Sequence, residues 1–582
     1  MVIILWLLGC AVVAALIWAQ FRGYDMLDGA YYFTVYHDPA DNPDTHTHDQ
    51  LFARPVWLLC SQDIARFRLV CLAVATVACA MFWWSLRRGI LLAFESKSET
   101  WWPMWFCVMA GMTWVPVALT YNSLATLFGL LNLAALSAVA GQDAPPSHRQ
   151  TALALFIAAI ATAASFVAKA PAAVALVLSG VFLLTMNPAL GTARRRAALA
   201  SAAGALLAAA FVFVIYLLFW TGQQTDHSIR FAGLVIRADW IGDSFHRYWR
   251  ELRDFLPLVA SDFAWTAFPV AAAVVIFLGN APNDTRPTLA SAALSVVLAA
   301  AIVAILRHGL WDASFAHIVS GRVSRFFLLF WGSLLPVLLA LWWRASTDGK
   351  RTVGGWDWIA VLAVLPFVSS LGSTNTVYVS ALHAMVLWSV GLLIVADRIA
   401  QLAHLPWFRT AMALCISLGS ISHILSAHFW KPYMFQTPLW TQTEAVEIGD
   451  PASRLRIDPD LASFLNRVRT TMQAAGYTTG EDVFGFFNLP GVTFAIGAKE
   501  PGAPWYFGTW YHGDDTDGAK LRNVPSERRR RAWIITQADV IQFRKQFLDS
   551  GIDFPDGYQK IGQTVNPTTG LEIGIWKPLA RH

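Results

Sequence analysis

Long apolar runs broken by short polar junctions fill the chain up to residue 429. They fall at 2–19, 66–86, 101–119, 122–140, 151–168, 172–187, 197–220, 263–280, 288–306, 326–343, 356–371, 378–395 and 408–428. An α-helix needs about 20 mostly apolar residues to cross a bilayer, fewer where it is wrapped in protein, so the runs predict about 13 spanning helices. The narrowest breaks are Thr120–Tyr121, Lys169–Pro171 and Ser373–Val377. The first run lacks a basic segment before it and a small-residue cleavage site before Phe21, so it reads as a retained helix rather than a signal peptide. Within 221–262, the stretch from Trp240 to Leu256 has the spacing of an amphipathic helix lying on a membrane surface.

After residue 429 the pattern changes. Apolar runs shorten, and charges and turn residues recur. Residues 460–475 show helical apolar spacing through Leu461, Phe464, Leu465 and Val468. Segments 482–487 and 532–536 read as buried strands, and 561–577 as a hairpin turning at 566–570. The expected fold is a polytopic α-helical membrane domain over 1–429 followed by a soluble α/β domain over 430–582.

Composition supports this division. The 582 residues are 56% hydrophobic and 14% charged, against about 25% charged in soluble domains. Many of the 27 Trp lie near the ends of apolar runs, where their rings favour the membrane interface. The net charge of +5 is small for this length and forms no stripe that would grip nucleic acid. The run Arg528–Arg531 reads as a solvated surface patch. All six cysteines fall in or beside apolar runs without a CxxC pair, which favours inert thiols over a disulfide framework or zinc site. Arg87, Arg88, Arg194, Arg195, Arg196, Arg344, Lys350 and Arg351 share one side of the predicted bundle, which makes that side and the N-terminus cytoplasmic. The loops 21–65, 221–262, 307–325 and 372–377 and the C-terminal domain then face the opposite compartment.

The first of those loops carries the strongest chemical signal. It reads Gly23-Tyr24-Asp25-Met26-Leu27-Asp28-Gly29-Ala30-Tyr31-Tyr32, then His37-Asp38-Pro39. Carboxylates at the edge of the hydrocarbon are costly unless paired or solvated, which makes Asp25 and Asp28 functional candidates. A desolvated carboxylate there has a raised pKa and is suited to take a proton from a hydroxyl. Lys169, between two apolar runs, is poorly solvated and calls for an anionic partner, unless it snorkels to the interface. Arg230, Arg307, His308, Arg322 and Arg325 are further cations on that side; the last two bracket a helix start, which attracts phosphate. Asn375 and Tyr378 lie in a polar junction squeezed between two runs. The run from Asp44 to Asp49 offers imidazole and carboxylate ligands, but its spacing fixes no metal geometry, and no cofactor is expected. Phe484 to Phe487 and Trp505 to Phe507 form an aromatic set suited to a domain core or to a sugar-stacking groove.

The first loop resembles that of the GT-C superfamily of membrane glycosyltransferases through Asp28-Gly29, Tyr31-Tyr32, Asp38-Pro39 and Arg54-Pro55, the last expected at the start of the second spanning helix. The resemblance implies a GT-C-like bundle in a bacterial inner membrane, with the C-terminal domain periplasmic. It implies an inverting transfer of a sugar from a polyprenyl-phosphate carrier to a glycan, lipid or protein acceptor. Asp28 takes the role of base, with Asp25 second; many relatives have adjacent acids, where here Gly29 follows and fits a tight turn close to a ligand. Lys169, in a Lys-Ala-Pro junction, takes the donor phosphate with Arg322 or Arg325. Tyr31, Tyr32, Asp38, Arg54, Asn375 and Tyr378 line the cavity. Two other classes fit the composition: a transporter or lipid flippase, which calls for midplane charges and repeats that are scarce here, and a non-catalytic assembly protein of the cell envelope.

Overall fold

The computed structural model describes residues 2–42, 48–91, 97–112, 118–140, 147–187, 190–220, 240–278, 286–305, 322–347, 355–369, 377–432, 435–487, 489–502, 521–537 and 544–579. Each apolar run maps to a helix. Helix α1 (Val2–Ala19) is followed by two short helices, α2 (Asp28–His37) and α3 (Gln50–Leu59), and then by α4 (Ile64–Arg87) and α5 (Ser98–Gly111). Next come α6 (Tyr121–Ala140), α7 (His148–Ala168), α8 (Ala170–Met186) and α9 (Gly191–Trp220). Helices Trp240–Leu278, Arg286–Ile305, Arg322–Thr347, Trp356–Ser369, Met385–Ala403 and Trp407–Ile424 complete the bundle. Six helices among the described residues are long and apolar enough to cross a membrane, with shorter apolar helices between them.

The solvent for this bundle is legible on its surface. Along α4, Val70, Val74, Val77 and Met81 are exposed by 38–57% at successive helical turns, and α8 exposes Val174, Leu178, Val181 and Phe182 in the same way. Apolar stripes of that length facing outward are stable in lipid, where the backbone is already satisfied within each helix. The bundle is therefore a multi-pass membrane domain. Its centre is Met385–Ala403, buried along nearly its whole length, with its one acid, Asp397, paired to Arg409. A Cβ at Gly391 would lie 2.5 Å from the ring of Trp331, so close packing of that helix requires glycine there.

Three local features depart from the sequence pattern. The first loop holds α2 and α3, because Ala30, Phe33, Tyr36, Ala53 and Trp57 find apolar partners in the bundle and the C-terminal domain. Arg54 and Pro55 accordingly lie inside α3 rather than at the start of the second spanning helix, and Ser61 and Gln62, with φ of 55° and 62°, separate α3 from α4. The amphipathic stretch from Trp240 runs unbroken into the next apolar run as the 39-residue helix Trp240–Leu278, since only Pro257 and Pro269 interrupt its sequence.

The C-terminal domain begins with an antiparallel hairpin, β1 (Glu444–Ile448) and β2 (Ser453–Ile457). Helix Pro459–Ala474, capped by the Asp458 side chain on Asp460 N and Leu461 N, buries Leu461, Phe464, Leu465, Val468 and Met472. The main sheet has the order β3-β4-β6-β5, with β3 (Val483–Phe486) and β4 (Trp533–Gln537) parallel. β5 (Tyr558–Val565) and β6 (Glu572–Pro578) form the expected hairpin.

This domain grips the first loop at both ends and in the middle. At the start of α2, Gly491 N donates to Met26 O (2.9 Å), and Tyr24 Oη donates to Gly491 O (2.9 Å). A Cβ on Gly491 would lie 2.4 Å from Met26 backbone, so the approach requires glycine. In the middle, the Phe33 and Phe494 rings are 5.8 Å apart. Beyond the end of α2, Arg528 binds Asp41 with two hydrogen bonds of 2.8 and 3.0 Å and Asp482 with two of 2.8 and 2.6 Å. Such forked guanidinium–carboxylate pairs are strong and directional. Arg530 and Arg531 are solvated as expected, but Arg528 is a clamp. Ser453 adds a further tie, accepting from Ile64 N (2.9 Å) and donating to Gln62 O (3.3 Å) across the strained turn.

Arg528→Ala removes the shared partner of two carboxylates. It is expected to cost about 1–3 kcal/mol, read as a lower apparent melting temperature and faster proteolytic release of the C-terminal domain. A variant as heat- and protease-resistant as wild type would show that the clamp does not hold the domain.

Candidate active site

The acidic loop leaves α1 and turns under the C-terminal domain. Arg68 on α4, almost fully buried, fixes this turn by donating from Nη1 to Arg22 O and Gly23 O (both 3.1 Å). Its Nε and Nη2 find no acceptor among the described residues. Asp25 is 1% exposed and accepts from Leu27 N (2.8 Å) and Gly29 N (2.7 Å), satisfying amides at the start of α2. Burial, then the nearby Asp28 carboxylate, push the Asp25 carboxyl up to about 7, against the pull of these two amides and of Arg68. Gly29 sits in the first turn of α2, not at a tight turn. A Cβ there would lie 2.9 Å from Asp25 Cβ, so glycine makes room for Asp25 rather than for a ligand. Asp28 opens α2 and remains partly exposed. Of the two acids, Asp25 is committed to the backbone and Asp28 is the one with access to solvent.

Behind them stands a second buried acid that sequence reasoning missed. Glu500 accepts from Gly485 N (3.1 Å) and from the Thr493 hydroxyl, and burial pushes its carboxyl well up. Tyr24 lies in the field of Asp25, Arg68 and Glu500 together, which joins this acid to the loop.

Lys169 lies at the break between α7 and α8. Pro171 in the first turn of α8 has no N–H, and Lys169 itself is extended at φ −157°. The break turns the side chain inward: Lys169 is 6% exposed. Its Nζ donates to Asn122 Oδ1 (2.9 Å) and stands 5.7 Å from the Tyr121 ring centre. No carboxylate lies within ion-pair distance among the described residues. The lysine does not snorkel; its buried amine has a neutral hydrogen-bond partner. It borders a cavity of about 30 Å³ together with Thr126, Ser380 and His383, space for a water rather than a phosphate. A phosphate reaches Lys169 only if neighbouring helices part.

The acids and the lysine belong to one tract. Tyr36 donates to Asp49 Oδ2 (3.1 Å) and to Leu119 O (3.0 Å), which holds α2 against the start of α6. Tyr32 is buried between Tyr31 and Tyr36, in the field of Tyr121, Asp49 and Asp28. Electrostatic neighbours run from Asp28 through Tyr32 to Tyr121, whose ring stands beside Lys169, and Lys169 shares its cavity with His383. Asn122, Tyr121 and His383 were missed; the polar junction Thr120-Tyr121-Asn122-Ser123 and a histidine inside an apolar run were the available signals. Arg68, a charge inside an apolar run, was equally legible.

The remaining candidates are dispersed. Asp38, 3.7 Å from His37 Nε2, lies ten residues beyond Asp28, about 15 Å along a helix, and does not join it. Arg54 is half-buried on α3, where Phe52 packs on Phe128. Arg325 is half-buried in the first turn of Arg322–Thr347. The side chains of Arg322 and Tyr378 lie outside the described residues, as do Arg230, Arg307, His308, Asn375, residues 44–47 and residues 505–507. Among the described residues no group of three His, Cys, Asp or Glu stands close enough to hold a metal. Five cysteines are buried, whereas Cys10 is exposed on α1.

No family model matches the chain, and no curated protein matches it. Among solved structures, the crystal structure of ArnT from Cupriavidus metallidurans in the apo state aligns with 98% of this chain and 97% of its own, at 11% identity and a TM-score of 0.40. A likeness at that level carries no argument about activity, which rests on the residues themselves.

The raised carboxyl of Asp25 sets a pH dependence of known sign. Unfolded, it titrates near 4; folded, it holds its proton to about 7. The folded state therefore binds more protons between these limits, and its stability falls as pH rises through them. Between about pH 4.5 and about pH 7.5, wild type is expected to lose more apparent melting temperature than Asp25→Asn. Equal losses would show that Asp25 ionises freely in the folded state.

Proposed function

We propose that the chain is a membrane glycosyltransferase of the GT-C type that moves a sugar from a polyprenyl-phosphate carrier to an acceptor hydroxyl. The observation that carries the reading is Lys169, a buried ammonium with no carboxylate partner among the described residues, on the same tract as the partly exposed Asp28. An uncompensated buried cation is costly, and a site that must receive a phosphodiester is a reason to keep one.

In this reading the carrier's lipid tail lies between helices and its phosphate meets Lys169, displacing Asn122 from the ammonium. The sugar projects toward α2. Asp28 accepts the proton of the acceptor hydroxyl as its oxygen attacks the anomeric carbon. The bond from that carbon to the phosphate oxygen breaks, and polyprenyl phosphate leaves with its charge held by Lys169. A single displacement inverts the anomeric configuration. Asp25 orders the start of α2 and so sets where Asp28 stands. No metal is required for this displacement. The reading places the protein in a bacterial inner membrane, with the C-terminal domain and the tract on the periplasmic side.

Sugar transfer from a radiolabelled polyprenyl-phosphate donor pool tests the reading. Lys169→Gln preserves length and hydrogen bonding but removes the charge, and is expected to lower kcat/KM by about 100-fold, or about 2.7 kcal/mol. Transfer with wild type that is unaffected by Lys169→Gln would contradict phosphate binding there. Absence of transfer across a broad donor panel would overturn the enzyme reading.

A further inference from the structure

The clamp residue Arg528 also lines a second, larger cavity, which opens between the first loop and the C-terminal sheet and has a volume of about 650 Å³. That is within the range of ligand pockets, about 300–1,000 Å³. It is separate from the tract of Asp28 and Lys169, since its first-loop contribution is Asp41, beyond the far end of α2.

The charges around it are unevenly spent. Asp41 and Asp482 share the one guanidinium of Arg528. Glu481 accepts from Trp533 Nε1 (2.7 Å) and Thr478 Oγ1 (2.9 Å). The cations keep their capacity. Lys499 is exposed and has no carboxylate partner among the described residues. Lys577 donates to a backbone carbonyl, Ala475 O (2.5 Å), and stands 5.7 Å from the Trp533 ring centre. Among the described residues Arg531 meets Glu527, across an exposed helix turn. Four cations, Lys499, Arg528, Arg531 and Lys577, line the cavity against three acids, Asp41, Glu481 and Asp482.

We propose that this cavity is a binding site for an anionic, hydrophilic group of sugar-phosphate size, held by Lys499, Lys577 and Arg531. Asp41 and Asp482 are turned to Arg528 and Glu481 to Trp533 and Thr478, which leaves the lysines and Arg531 as the donors that a ligand meets. The volume accommodates more than a single ion, and the hydroxyl-rich part of such a ligand has Glu481 and the Ala475 and Gly476 backbone as neighbours. The same chemistry is offered by a soluble sugar phosphate and by the headgroup of a phosphorylated lipid.

The test reads binding and is independent of the glycosyl-transfer reading. The full chain, purified in a maltoside detergent, is titrated into glucose 1-phosphate and followed by 31P line broadening, with inorganic phosphate and uncharged glucose as comparisons. Broadening is expected with glucose 1-phosphate, weaker with inorganic phosphate. The paired change Lys499→Gln with Arg531→Gln alters only exposed side chains and is expected to weaken binding at least 10-fold without changing the melting temperature. Lys577→Gln weakens it independently. Reconstitution with anionic rather than zwitterionic lipid distinguishes the source: competition by the anionic bilayer assigns the site to a lipid headgroup, and undiminished binding assigns it to a soluble ligand. No broadening with glucose 1-phosphate, or broadening that the paired variant leaves unchanged, would overturn the proposal.

Discussion

The docking of the C-terminal domain on the ten-residue helix α2 is the contact on which the rest of the architecture depends. A helix that short has no stability of its own. It exists because Gly491 meets Met26, Phe494 meets Phe33, and Arg528 holds Asp41 beyond its end. On its other side, Tyr36 ties it to the bundle at Leu119. Held between two bodies, α2 fixes where its acids stand. The C-terminal domain is thus a structural half of the candidate site rather than an appendage.

A buried acid and a buried lysine give the site its character. Asp25 gives its oxygens to the backbone at the start of α2, and burial with Asp28 beside it favours the protonated form. Lys169 is held in the interior by a helix break and, among the described residues, is answered by an amide oxygen and the Tyr121 ring. Neither arrangement improves stability by itself, since both take charge away from water. With the partly exposed Asp28 beside Asp25, the proposed transfer has a proton acceptor at one end and Lys169 to meet a departing phosphate at the other.

Much of the fold was legible because a bilayer imposes length and apolarity directly on sequence. All the apolar runs became helices, and in the C-terminal domain helix Pro459–Ala474 and strands β3 to β6 followed from local periodicity. The hairpin of β1 and β2 was missed, since its alternation is short and its apolar face is completed only by Phe494 and the bundle. The same limit applies to the site. Asp25, Asp28 and Lys169 announced themselves as charges beside apolar runs. Asn122 and Tyr121 did not, because a polar junction says nothing of which lysine it faces. Arg528 was hidden within a run of four arginines, distinguished from its neighbours only by carboxylates 46 and 487 residues away. Long-range pairing of that kind leaves no local trace.

The central claim is that Asp28, and not the buried Asp25, takes the proton during transfer. Asp28→Asn and Asp25→Asn, at equal expression in the same membranes, separate the two when transfer and retention of a labelled polyprenyl-phosphate donor are measured side by side. The account predicts that Asp28→Asn abolishes transfer while the donor is still retained, and that Asp25→Asn keeps a measurable rate. Transfer undiminished in Asp28→Asn would contradict it.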